Sequence, residues 1–174
     1  SNTDSKVKGV EDYLREHGNW EVVAKVDDKA ETNAAIEAAK SVFNNYPEID
    51  AIVGLDSSSG SGIALAMEEL RIPAGKITVV VPDRDVSTLE FIEKGYITST
   101  LINKTAAQEY VAILIMEDWN NGGMKSIPIS SNNAAAGVNP VPELMYNTAA
   151  IIDKNNVEYF LVDNLPELDT KLYN

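Results

Sequence analysis

Apolar positions along this chain repeat with two alternating periods, helical and extended. Val7, Val10, Tyr13 and Leu14 recur at helical spacing between Lys6 and Glu16, and Gly18 beyond His17 is a stop signal. Glu21–Asp27 (EVVAKVD) predicts a strand. Ala35, Ala38, Ala39, Val42 and Phe43 share one side of a predicted helix over Ala30–Tyr46, which Pro47 ends. Ala51–Leu55 (AIVGL) is a short unbroken apolar run of the kind found in buried parallel strands. A helix is predicted over Ser61–Leu70, a strand over Lys76–Val81 stopped by Pro82, and a short helix over Ser87–Lys94 capped by Gly95. Tyr96–Ile102 is β-rich. Ala106, Tyr110, Ile113 and Leu114 mark a helix over Thr105–Trp119, stopped at Asn120–Gly123. Ser130–Pro142 predicts a loop, Thr148–Ile152 a strand and Asn156–Leu161 a short helix, while Leu165–Asn174 carries few packing signals. Tyr13, Phe43, Phe91 and Tyr110 are expected in the core.

Strands separated by helices of these lengths imply right-handed crossovers and a mostly parallel sheet of an α/β fold. Ligands of such sheets bind beyond the carboxyl ends of the strands. Here those ends are Asp27-Asp28, Asp56–Ser59, Pro82–Asp85 and Asn103-Lys104, a polar rim rich in acids.

Composition narrows the function classes. The chain has 174 residues, enough for one α/β domain, and a net charge of −13 from 27 acidic and 14 basic side chains. That balance argues against nucleic-acid binding, which needs a basic face. Without cysteine, no disulfide framework, thiol nucleophile or cysteine metal site can form. The most apolar stretch, Tyr110–Met116, is too short to span a membrane. No secretory signal is read, and Ser1-Asn2 reads as a cloning scar or a trimmed end, so a longer parent is expected.

Three enzymatic or cofactor readings fare poorly. Gly60-Ser61-Gly62 follows a strand and opens a helix, with Asp83 about 20 residues on, as a dinucleotide fingerprint requires. The third glycine position, however, is Leu65, too bulky for close helix–strand packing. The nucleophile-elbow spacing of hydrolases is missing, and the lone His17 suits a helix C-terminus. Asp83 and Asp85 make only two carboxylates for a hard cation.

Several stretches, taken in order, resemble the type I periplasmic-binding-protein family of sugar ABC transporters (ribose-binding-like). Tyr46-Pro47-Glu48-Ile49-Asp50-Ala51-Ile52-Val53 is similar to the family's lead into a strand. Asp56, then Gly62-Ile63-Ala64-Leu65-Ala66, resembles its polar residue, short loop and small-residue helix. Ile77–Asp83, Leu89–Ile92 and Gly95-Tyr96-Ile97 resemble its strand, ligand-binding aspartate, helix and return strand. Ile151–Val157 is similar to its closing segment. The collinear match runs from about Ser5 to Leu161.

The resemblance implies a two-lobed sugar binder of which this chain carries the C-terminal lobe, a Rossmann-like α/β parallel-sheet lobe of three αβα layers, without its first strand. Residues 1–103 would be that lobe and 104–174 a crossing helix, a loop and a return segment. It also implies non-covalent binding of a small carbohydrate, with no catalysis and no cofactor, in an extracytoplasmic protein served by a membrane permease. The sugar-sensing domain of a receptor or of a LacI-type repressor is the alternative. By position, Asp83 would receive sugar hydroxyls, Asp56 would share that task and Asn103 would supply the amide at the last hinge. Lys6 falls where the family generally has an arginine, whose planar fork lysine cannot copy. Each residue also has a structural reading: Asp56 and Asp83 as helix caps, Asn103 as a turn residue, Lys6 as a solvated lysine. The family packs the Thr105–Trp119 helix on its other lobe. Without that lobe, folding back, exchange between molecules as a domain-swapped oligomer, and loose docking are all open to it.

Overall fold

Parallel pairing organises the centre of the molecule. The computed structural model describes residues 2–18, 20–122 and 145–161. Strands β1 (Ala51–Val53), β2 (Thr78–Pro82), β3 (Ser99–Asn103) and β4 (Ala149–Asp153) form one sheet in the order β1-β2-β3-β4. β1 pairs parallel to β2 with Ile52 opposite Val79, and β2 pairs parallel to β3 with Val81 opposite Thr100. The helices are α1 (Asn2–His17), α2 (Thr32–Asn45), α3 (Ser57–Glu69), α4 (Val86–Glu93) and α5 (Thr105–Asn121), with a 3-10 turn at Val157–Tyr159. This is the α/β alternation that the sequence predicts.

The chain divides into two units, one of residues 1–102 and 151–174, the other of residues 103–150. The first holds the core. Val79 and Val81 of β2 are buried with Met67 and Ala64 of α3, Leu89 and Ile92 of α4, and Ile97 and Ile152. A side chain such as Met67 or Ile92, fully removed from water, contributes about 1.5–3 kcal/mol. The glycines of Gly60-Ser61-Gly62 serve this packing. A Cβ at Gly62 would collide with Ala35 of α2, and one at Gly60 would stand 2.8 Å from Thr88 Oγ1 of α4. In the second unit, α5 ends at Gly122 with φ 83°, and none of its residues is buried.

Some expectations fail for identifiable reasons. Glu21–Asp27 is not a strand, and Val22, Val23 and Val26 are exposed. β1 is an edge strand whose only strand partner among the described residues is β2, and residues 21–27 join no ladder. An extended segment without a neighbour has nothing to satisfy its backbone but water, whatever its β propensity. Lys25 instead ties this segment to α1 through an ion pair with Glu11. Tyr13 and Tyr110 are exposed rather than core, in contrast to Phe43 and Phe91. Tyr13 stacks on His17 one helical turn on, with ring centroids 4.2 Å apart, and Tyr110 lies on the unburied α5. Asn156–Leu161 shortens to the 3-10 turn, and α3 begins four residues before the predicted Ser61. The Ser130–Pro142 and Leu165–Asn174 segments lie outside the described residues.

Candidate functional site

α3 starts early because Asp56 caps it. Asp56 Oδ1 accepts from the Ser58 amide at 2.8 Å, the Ser58 hydroxyl at 2.6 Å and the Ser59 amide at 3.2 Å. The Asp56 amide in turn donates to Ser59 Oγ, which completes a capping box. This sequence pattern, an acid followed three residues later by a hydrogen-bonding side chain, closes the orphan amides of the helix N-terminus. The capping reading of Asp56 therefore holds. A carboxylate offers about four acceptor sites, and the contacts just named engage only Oδ1.

The same box recruits Asp28. The Ser59 hydroxyl, on a buried residue, donates to Asp28 Oδ2 at 2.7 Å. Asp28 sits where the backbone turns sharply: Asp27 Oδ1 accepts from the Lys29 amide at 2.9 Å and Asp28 Oδ1 from the Ala30 amide at 3.2 Å. Lys29 and Ala30 both adopt left-handed backbone, with φ 55° and 54°. Burial raises the Asp28 carboxyl above its ordinary 3.8, the Ser59 hydrogen bond opposes that rise, and contact with Asp56 adds to it. At Asp56 burial also acts upward, but donation from the Ser58 hydroxyl, contact with Asp28 and the Ser58 and Ser59 amides outweigh it, and the carboxyl is lowered. Two like carboxyls in contact disfavour each other's charge, so the second ionises less readily than the first. The helix amides favour charge on Asp56, so Asp28 is the carboxyl that keeps its proton to the higher pH.

Lys6 of α1 reaches the same rim. Its ammonium donates to the Leu55 carbonyl at 2.8 Å, one residue before Asp56. Lys6 is half-buried there rather than solvated on a helix face.

Asp83 is positioned by its backbone. It follows β2 directly, is exposed, and adopts φ 69°, a left-handed conformation uncommon for any residue but glycine. Its amide continues the ladder to the Leu101 carbonyl at 2.9 Å. The cap position of α4 belongs to Asp85, so the capping reading of Asp83 does not hold. Asn103 is the exposed last residue of β3 and the first residue of the second unit.

The first unit thus brings Asp56 and Lys6 together at the end of β1 and sets Asp83 at the end of the adjacent β2. Asp28 completes the group and is missing from the candidates that the family pattern selects. The strand-end rule alone touches it, through Asp27-Asp28, although the strand that suggested it does not form. Ser59 is also missing from those candidates, and its place three residues after a capping acid is the signal that could have found it. Among the described residues, no three His, Cys, Asp or Glu side chains gather closely enough to hold a metal ion.

No curated protein matches the chain by sequence. Its fold is similar to that of AraP, an arabinose-binding protein from Geobacillus stearothermophilus, with a TM-score of 0.69 and 24% identity over 80% of this chain and 45% of that one. GanP, a glucose-galactose binding protein from the same organism, gives 0.69 and 21% identity over 87% of this chain and 48% of that one. An ABC transporter solute-binding protein from Agrobacterium vitis, bound with alpha-D-tagatopyranose, gives 0.69 and 21% identity over 90% and 47%. The chain spans about half the length of these solved relatives. Residues 1–123 match the periplasmic binding protein domain, and the chain belongs to that family.

Proposed function

We propose that this chain supplies half of a non-covalent carbohydrate site, in the substrate-binding component of an extracytoplasmic sugar ABC transporter. The observation that carries the reading is Asp83: an exposed carboxylate, at the carboxyl end of a parallel strand, on strained backbone that no cap explains. Strain of this kind is kept where the surroundings over-determine it, and it clusters at binding sites. Sugar hydroxyls donate well to carboxylates, and charge-assisted hydrogen bonds of this kind are the strong ones. Asp83 would take the strongest contact, Asp56 the next, and Asn103 would add an amide. Lys6 would offer its remaining donors as a point charge rather than a fork. The site would bind without turnover and pass its ligand to a membrane permease. Fold likeness to arabinose, glucose-galactose and tagatose binders supports the ligand class.

An NMR amide titration with pentoses, hexoses and polyols tests the reading. Shifts centred on Asp56, Asp83 and Asn103 are expected, and their loss in Asp83→Ala. Wild-type shifts confined to other parts of the chain would sink the proposal.

A further inference from the structure

The backbone at Asp83 needs a clamp, and one buried side chain is built to be it. Thr100 of β3 has no exposed surface, and its hydroxyl faces two carbonyls of the neighbouring strand and its end. It donates to the Val81 carbonyl at 3.0 Å and also to the Asp83 carbonyl. One hydroxyl proton shared between acceptors two residues apart pulls them toward the same point. Regular extended backbone turns the carbonyls of residues i and i+2 to the same side but spaces them along the strand. A left-handed residue at the end folds the second carbonyl back. The Asp83 amide meanwhile stays on the ladder through the Leu101 carbonyl at 2.9 Å. Asp83 is therefore pinned on both sides of its Cα by one strand, β3, and its φ of 69° is the conformation that satisfies both.

We infer that Thr100 is a positioning residue: its hydroxyl holds Asp83 in the left-handed conformation that presents the carboxylate at the strand end. The clamp stands on geometry alone, whereas its consequence for ligand rests on the carbohydrate site proposed above. Sequence periodicity gives no hint of it, since a threonine within a β-rich run needs no explanation beyond β propensity.

Thr100→Val and Thr100→Ser separate the hydroxyl from the shape of the side chain. Two readouts on the 174-residue chain are needed. The first, without ligand, is the intraresidue amide-to-Hα NOE of Asp83, which is strong only when φ is positive. It is expected to weaken in Thr100→Val and to persist in Thr100→Ser. The second is titration with arabinose, galactose and tagatose. Affinity is expected to fall about tenfold or more in Thr100→Val, the scale of one lost hydrogen bond, and to stay within about threefold of wild type in Thr100→Ser. An unchanged Asp83 NOE in a folded Thr100→Val overturns the inference. If wild type binds none of the three sugars, the site reading fails while the NOE still decides the clamp. Where Thr100→Val does not fold, the cycle with Asp83→Gly decides. Glycine accepts left-handed backbone unaided, so the double variant should regain measurable folded population, and a double variant as unfolded as Thr100→Val refutes the clamp.

Discussion

Asp56 and Asp83 lie at the carboxyl ends of two neighbouring parallel strands, yet the fold holds them by opposite means. Asp56 has ordinary extended backbone, φ −135°, and is fixed through its side chain, which closes the first turn of α3. Asp83 has unusual backbone and is fixed through its main chain, with its amide and carbonyl both bonded to β3. The difference separates stability from function in a predictable way. A carboxylate that caps a helix stabilises the fold whether or not it also meets a ligand. One held in a left-handed turn costs the fold about 1–2 kcal/mol and is worth keeping only for what it contacts.

The largest effect expected from that contrast belongs to Asp56→Ala. Three donors lose their acceptor, and replacement of an aspartate cap by alanine should cost about 1–2 kcal/mol in urea denaturation. Asp56→Ser retains a capping oxygen and should recover most of that loss. An Asp56→Ala midpoint equal to wild type would mean that the capping box contributes nothing.

Asp83 should answer with the opposite sign. Asp83→Gly relieves the left-handed strain, partly offset by the greater freedom of glycine in the unfolded chain, and should stabilise by up to about 1 kcal/mol. Asp83→Ala keeps the strain without aspartate's tolerance of it and should destabilise slightly. Both variants should lose the sugar-dependent shifts. A destabilised Asp83→Gly would erase the distinction between the two aspartates.

This contrast also marks how far the sequence could be read. The parallel pairing of β1, β2 and β3 and most helices follow from local pattern, because KITVVV and the small-residue face of α3 carry their burial in their composition. Glu21–Asp27 misled for a physical reason: valines propose a strand, but only a neighbouring strand can accept one, and pairing is not a local property. The two tyrosines misled similarly, since helical spacing names a face without saying what covers it. At the site, strand-end position reaches Asp56 and Asp83, while Lys6, on a helix, is reached only through the family resemblance. They do not reach the sign of φ at Asp83, the Thr100 hydroxyl beneath it, or the turn at Lys29 and Ala30 that delivers Asp28 to Ser59. The Thr100–Asp83 and Ser59–Asp28 contacts join residues 17 and 31 positions apart, which no local pattern reports.

The smallest expected effect sharpens the comparison most, because it asks which carboxyl of the Asp28–Asp56 pair ionises first. Asp56 is lowered in the folded protein, so its contribution to stability is complete above pH 3.8 and is lost as pH falls through its lowered value. Asp28 is raised, so its contribution is complete below pH 3.8 and is lost as pH rises through its raised value. Asn at either position removes that residue's own pH dependence and keeps its size. Between pH 3.8 and 7, the stability of Asp28→Asn relative to wild type should therefore improve. Asp56→Asn should instead lose ground relative to wild type as pH rises from acid toward 3.8. Solvent screening at this rim should hold both changes below about 1 kcal/mol, so paired urea midpoints across the pH range are the measurement to make. Slopes of the same sign in the two variants would mean that the helix amides do not decide where the proton sits. Opposite slopes would assign Asp56 as the carboxyl that ionises first and Asp28 as the one that ionises last.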